Sequence, residues 1–342
     1  MLKHTNFLLI IISFMVLGDS LVNIEGYALE NDSVGFSVFP NYSETQQKES
    51  SFFDLLVTPG SEQTISITVS NTSEEVSNYE IKVIQASTNK NGVIDYSDPK
   101  GQLSKKVPMN LDDQATYKKK FQLSPGEFKE VPIKLCVPLT PFRGEVLGGV
   151  NVSKEISEKN TQSQLVNQYS YVIGLRLREG AENPERHLES GDAKPDVSFG
   201  QTGVTVPIIN NQAIAMGQLT VDSVLKRDGK EIKKETYKSR EVAPNSVYPY
   251  SLSWDKKDYV PGKYLLTITV KDAESHKWSF EKEFTLKATE VTKIKDVAVH
   301  PSKENNQWVW LLIGLFVLII LLLLGYIFMN NQKRRTKEDT DV

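Results

Sequence analysis

The sequence predicts an all-β fold, two tandem immunoglobulin-like β-sandwich domains followed by one C-terminal transmembrane helix. Three observations carry that expectation. Apolar and polar residues alternate with a period of two through much of the chain, Pro-Gly and Asp-Gly pairs punctuate the alternating runs, and 22 uncharged residues, Trp308 to Met329, stand near the C-terminus. Side chains two apart share one face of a strand, so each alternating run can bury one face and solvate the other.

The elements follow in order. Residues 1–28 start with Lys3 and His4, run apolar from Phe7 to Leu17 and reach small residues at Gly26 and Ala28, the pattern of a secretory signal peptide cleaved after Ala28. Ile65, Ile67 and Val69 then alternate with serine and threonine, and Ile133, Leu135 and Val137 alternate with Lys134 and Cys136. Pro59-Gly60 and Pro125-Gly126 precede these runs as turns. Residues 29–160 are thus expected to form the first sandwich, with the polar stretch Glu155 to Leu165 as the boundary.

Tyr171, Ile173, Leu175 and Leu177 share one parity and are expected to open the second sandwich, residues 161–288. Asp228-Gly229 between two charged strands is a tight-hairpin signal. Tyr264 to Val270 and Trp278 to Leu286 alternate behind Pro261-Gly262, and no amphipathic helix of three turns interrupts the strands. Residues 289–307 read as a polar stalk. As a helix, residues 308–329 would extend about 33 Å, enough to cross a bilayer. Trp308, Trp310 and Tyr326 lie near its ends, and Lys333, Arg334, Arg335 and Lys337 follow, which places the tail, 330–342, in the cytoplasm. The expected location is the cell membrane, single-pass type I, with the ectodomain outside at the cell wall.

Composition removes several function classes. The 342 residues carry 40 basic and 43 acidic side chains, a formal charge of −3, so no electrostatic footprint for nucleic acid is present. A single cysteine, Cys136, excludes an intramolecular disulfide framework and a cysteine-based zinc cluster. No GxSxG elbow, HExxH helix, GxxxxGK[ST] loop or GxGxxG turn occurs. Cys136 lies in an alternating run and reads as a structural buried thiol. No catalytic, cofactor-binding or metal-ligating residues are therefore assigned, no cofactor is expected, and the chain is read as a non-enzyme. Tyr248, Tyr250, Trp254 and Tyr259 cluster around "VYPYSLSWDKKDYVPGKY", an anchor-and-rim composition that makes them the candidate partner-binding residues.

Particular phrases sharpen this reading. "FFDLLVTPGSEQTISITVSNTS" (Phe52 to Ser73), "ASTNKNGVIDYSD" (Ala86 to Asp98), "PFRGEVLGGVNVS" (Pro141 to Ser153), "YSYVIGLRL" (Tyr169 to Leu177) and "PGKYLLTITVKD" (Pro261 to Asp272) occur in that order. The chain resembles the WxL-interacting proteins of low-GC Gram-positive bacteria, with Gly144, Gly148 and Gly149 in the family's glycine positions. Asn41-Tyr42 after Pro40 departs from the Asn-Gln usual there. The resemblance implies a first domain that binds peptidoglycan and a second that binds host proteins, including those of the extracellular matrix, acting with secreted WxL-domain surface proteins. On the residues themselves, Asn91-Gly92 is a hairpin-turn signal. Gly148-Gly149 suggests a bulge or a close backbone approach.

Two functions fit. One is a non-catalytic adhesion scaffold that links peptidoglycan and membrane to secreted WxL-domain proteins and host proteins. The other is a surface-protein secretion or assembly factor that holds a partner by sheet-edge pairing.

Overall fold

The structure, a computed structural model, describes residues 34–42, 46, 51–155 and 168–298, with seven more residues between 313 and 321. In the first sandwich the chain runs through β1 (Phe36–Asn41), β2 (Phe53–Leu56), β3 (Glu62–Asn71), β4 (Ser77–Gln85), β5 (Ser87–Thr88) and β6 (Ile94–Asp95). A one-turn helix α1 (Leu111–Gln114) follows, capped by the Asn110 side chain, which accepts from the Asp112 N–H. Then come β7 (Ala115–Tyr117), β8 (Lys120–Leu123), β9 (Phe128–Cys136), β10 (Glu145–Lys154) and β11 (Ser170–Arg178). One sheet is ordered β1-β3-β9-β7 and the other β2-β11-β10-β4-β8, with β5-β6 a separate hairpin. The expected alternation fills the core between the sheets: Ile65, Ile67 and Val69 of β3 and Val131, Ile133 and Leu135 of β9 are buried.

The second sandwich contains β12 (Glu189–Ser190), β13 (Lys194–Ser198), β14 (Gln201–Asn210), β15 (Met216–Arg227), β16 (Lys230–Val242), β17 (Ser246–Ser253), β18 (Gly262–Lys271) and β19 (Lys277–Leu286). One sheet is β16-β15-β18-β19; the other is built on β14, which pairs β12, β13 and β17. Asp228 and Gly229 take φ of 50° and 77° between β15 and β16, the two positive angles of a two-residue hairpin whose twist matches its strands.

Four expectations need correction or placement. The strand expected to open the second sandwich, β11, belongs to the first. It pairs with β10 from Glu145↔Arg178 to Ser153↔Ser170 and lies parallel to β2, and its Ile173, Leu175 and Leu177 are buried in the first core. The physical reason is the apolar parity of β11, which fits the gap between β10 and β2; a polar stretch before a strand marks a loop, not the sheet the strand will join. The change of sandwich falls after Arg178. The expected stalk is partly helical: α2 (Ala288–Val297) packs Val291 and Ile294, three residues apart on one face, against the second core. The signal segment, residues 1–28, lies outside the described residues. So does most of the apolar span 308–329; its seven described residues are helical and exposed, and no described helix is long and apolar enough to cross a membrane.

Candidate functional site

The phrase from Ala86 to Asp98 forms the β5–β6 hairpin, as its Asn-Gly pair predicts. The Asn89 N–H donates to the Val93 carbonyl at 3.0 Å and the Gly92 N–H to the Asn89 carbonyl at 3.0 Å. Gly92 takes φ 65°, in the region that favours glycine. The hairpin reaches the second sandwich. Its Gly92 carbonyl accepts from the Glu241 N–H at 2.7 Å, and Thr88 Oγ1 accepts from the Ala243 N–H at 2.9 Å and meets Ser246 Oγ at 2.7 Å. Beyond the hairpin, the Val247 N–H donates to the Gln102 carbonyl and the Ser104 N–H to the Asn245 carbonyl, while Asn245 Nδ2 donates to the Lys106 carbonyl at 2.8 Å. Thr88, Asn245 and Ser246 are all buried. A buried polar group left without its partner costs about 1–3 kcal/mol, so these bonds specify one docking of the two sandwiches.

The glycine phrase supplies the opposite side of this joint. Gly144 has φ 94°, and a Cβ there would collide with the Ala213 carbonyl of the second sandwich. Next to it the Glu145 N–H donates to that carbonyl at 2.7 Å, and Glu145 Oε1 accepts from the Ala215 N–H at 2.9 Å. Gly148 and Gly149 point to opposite faces of β10. Gly148 leaves room for a Leu111 methyl in the core, and Gly149 lets the Tyr96 backbone lie on the outer face, where Asn151 Nδ2 donates to the Tyr96 carbonyl at 2.8 Å. The ladders to β4 and β11 run without a shift here, so the pair is a close backbone approach and not a bulge.

Under the hairpin, between it, β10, β11 and Ala215, lies a cavity of about 590 Å³. Its walls are Ile94, Tyr96, Leu147 and Val172, with Phe52 at one side and Glu145 paired to Arg176 at 2.7 Å. Burial, and secondarily the carboxylates of Glu241 and Glu145, push the Tyr96 phenol above its usual pKa. Among the described residues that line it there is no serine, cysteine or histidine. The arrangement can enclose an apolar group beside a neutralised ion pair; it offers no nucleophile with a base.

The four residues expected to bind a partner are core residues. Tyr250 and Tyr259 are fully buried, and Tyr248 and Trp254 are 2% and 5% exposed. The Tyr250 hydroxyl donates to Ser223 Oγ at 2.7 Å, the Tyr259 hydroxyl donates to the Gly203 carbonyl at 3.2 Å, and the Trp254 ring lies 4.9 Å from that of Tyr259. Burial raises the Tyr248 phenol to about 12 and those of Tyr250 and Tyr259 further. The reason is parity: Tyr248, Tyr250 and Leu252 alternate along β17 and all point inward. Tyr248 does touch the other sandwich, since a Cβ on Gly92 would meet its ring at 2.8 Å, so its contact is within the chain. That shared parity was readable in the sequence, whereas nothing in the sequence pairs Glu145 with Arg176 or lays Tyr96 on Gly149.

Two other candidates resolve into structural roles. Cys136 is half-buried on the outer face of β9, its Sγ 3.9 Å from Glu62 Oε1, which corrects the expected buried thiol: the alternation puts its neighbours Leu135 and Val137 inside instead. Asp272, Glu274 and His276 converge at the β18–β19 turn. Arg186 pairs with both carboxylates, at 3.1 and 2.8 Å, and His276 Nδ1 lies 2.8 Å from Asp272. Burial works against it, but hydrogen bonds from the His276 side chain and backbone hold the Asp272 carboxyl below its usual range. The group ties the segment before β12 to this turn.

Residues 36–154 match the family model described as the WxL Interacting Protein peptidoglycan binding domain, and residues 160–296 match that of the WxL Interacting Protein host binding domain. The second match begins before β11, so one strand belongs to the second segment in sequence and to the first sandwich in space. No curated protein matches the chain. Among solved structures, a chaperone–tip adhesin complex of CFA/I fimbriae biogenesis is 12% identical, with a TM-score of 0.30 over 72% of this chain and 98% of that one. The class 5 fimbriae chaperone CfaA is 11% identical, TM-score 0.29, over 72% and 98%. The E. coli chaperone DraB is 15% identical, TM-score 0.28, over 74% and 96%.

Proposed function

Because the chain belongs to the WxL-interacting protein family, we propose that it is a non-catalytic cell-surface scaffold. Its first segment holds peptidoglycan, and its second holds host proteins. Secreted WxL-domain proteins are its partners in surface complexes, and the apolar span 308–329 anchors it in the membrane as a single-pass type I protein. The carrying observation is the order of the two matched segments along one chain. The hydrogen-bonded joint supports the reading, because a bridge between two fixed ligands gains effective concentration when its modules are held at one spacing. The cavity beside the joint, which offers no nucleophile with a base, fits binding better than turnover.

Co-sedimentation with purified peptidoglycan and capture of a WxL-domain protein by the same molecule test the scaffold. Ternary complexes that pellet all components are expected. Retention of either ligand only in the absence of the other would overturn it. Protease treatment of intact protoplasts tests the topology: digestion of the C-terminal tail there would contradict the type I orientation.

A further inference from the structure

The outer face of the sheet β1-β3-β9-β7 has a chemistry unlike that of an ordinary solvated sheet face. Read across the ladders, Ser37, Ser70 and Phe128 form one row, Phe39, Thr68 and Glu130 the next, and Asn41, Ser66 and Pro132 the third. Hydroxyls and an amide occupy the centre. Asn41 Nδ2 donates to Ser66 Oγ and Thr68 Oγ1 at 3.0 Å each, Thr68 returns a bond to Asn41 Oδ1, and Ser66 Oγ donates to Glu130 Oε1 at 2.6 Å. These bonds fix the orientation of the amide and the carboxylate before any ligand arrives. On either side stand two large rings in solvent, Phe39 at 59% exposure and Phe128 at 70%.

The geometry sets a scale. Phe39 and Phe128 are two strands and one row apart, about 12 Å between Cα positions at a strand spacing of about 4.8 Å and a rise of about 3.4 Å per residue. A short run of pyranose rings bridges that span. The charge is suited to an uncharged polymer: Glu130 is the one ionised group in the three rows, and Lys134 at the next row is already paired with Glu62 at 2.7 Å. Among the described residues of these rows and the next, a polyanion would meet a carboxylate and no unpaired lysine. Isolated surface phenylalanines are common. Two that flank a pre-oriented polar centre provide what a sugar strand presents, apolar ring faces alternating with hydroxyl and acetamido groups.

We propose that this face is the glycan-contacting surface of the first sandwich. A strand of N-acetylated hexosamines would lie across β1, β3 and β9, with one sugar against each of Phe39 and Phe128 and its polar groups on Asn41 and Glu130. The inference rests on the peptidoglycan reading of residues 36–154 and adds to it the part of the polymer recognised and the surface that recognises it.

The test uses the purified full chain and purified sacculi, with a β-1,4-linked N-acetylglucosamine tetramer and a free stem peptide as competitors. Phe39→Ala and Phe128→Ala, each checked for unchanged circular dichroism, are expected to weaken retention about three- to tenfold, the scale of one aromatic contact. Phe128→Trp is expected to restore it, and the sugar tetramer, not the stem peptide, to displace the protein. Alanine variants that sediment like the wild type, or displacement by stem peptide alone, would overturn the assignment of this face and leave the domain's peptidoglycan reading intact. A wild-type chain that does not sediment overturns that reading itself, and this inference with it.

Discussion

A methyl group added to Gly149 would press on the Tyr96 carbonyl oxygen at 2.7 Å and on the Tyr96 Cβ at 3.0 Å. Gly149→Ala is therefore expected to cost about 1–3 kcal/mol by overpacking, read as a lower urea midpoint at unchanged slope. Gly217→Ala meets nothing within 4 Å and should stay within about 0.5 kcal/mol of the wild type. The buried phenols give a second residue-scale expectation. Burial disfavours the charged form of Tyr248 and pushes its phenol up to about 12 in the folded chain, from the ordinary tyrosine value of about 10. The sign follows from linkage: the folded state holds the proton more tightly, so this stability is fully present below about pH 10 and is lost as pH rises toward 12. Alkaline unfolding followed by circular dichroism should coincide with the part of the phenolate absorbance that Tyr248→Phe removes, whereas that same part appearing in a chain that stays folded would contradict it. These same tyrosines show the limit of sequence at this scale. Their density suggested a surface, but the alternation of Tyr248, Tyr250 and Leu252 is what decided their fate, because a second sheet was there to cover that face.

The strand β11 shows what a sequence conveys about elements and what it withholds. Its alternation made it legible as a strand, as did the turns at Asp228-Gly229 and Asn91-Gly92. Its place in the sheet was not legible, because pairing depends on which edge is vacant once distant strands have met. Burial of Ile173, Leu175 and Leu177 is worth about 1.5–3 kcal/mol each, a sum comparable with the whole stability of a domain. A fragment of residues 29–160 is thus expected to lack cooperative unfolding, and one of residues 29–180 to regain it. Calorimetry on the two fragments checks this; a cooperative transition in the shorter one would show that β11 only decorates the first core. The helix α2 escaped notice for a related reason, since Val291 and Ile294 form an apolar face too short to stand out in polar surroundings.

The two sandwiches are joined through Thr88, which lies in the Ala86–Asp98 phrase, and through Asn245 and Ser246, which lie in none of the quoted phrases. At this scale the sequence supplied two sandwiches in tandem, while their docking came from hydrogen bonds between residues more than a hundred positions apart, such as Thr88 and Ser246. Asn245→Ala leaves the Lys106 and Asn211 carbonyls without their donor and removes a residue suited to its φ of 48°. A loss of about 1–3 kcal/mol is expected, and with it a split of one calorimetric transition into two. A single transition in both proteins, at the same temperature, would show that the joint contributes nothing to cooperativity. Mechanical load gives the shared strand its last significance. In a molecule held at a wall by its first sandwich and pulled from its C-terminal side, tension would leave the first sandwich along the axis of β11 once the joint has opened. The ladder to β10, nine residue pairs from Ser170 to Arg178, is then sheared as a block and not peeled one bond at a time. An anchor fastened this way resists flow through the many bonds of one strand acting together.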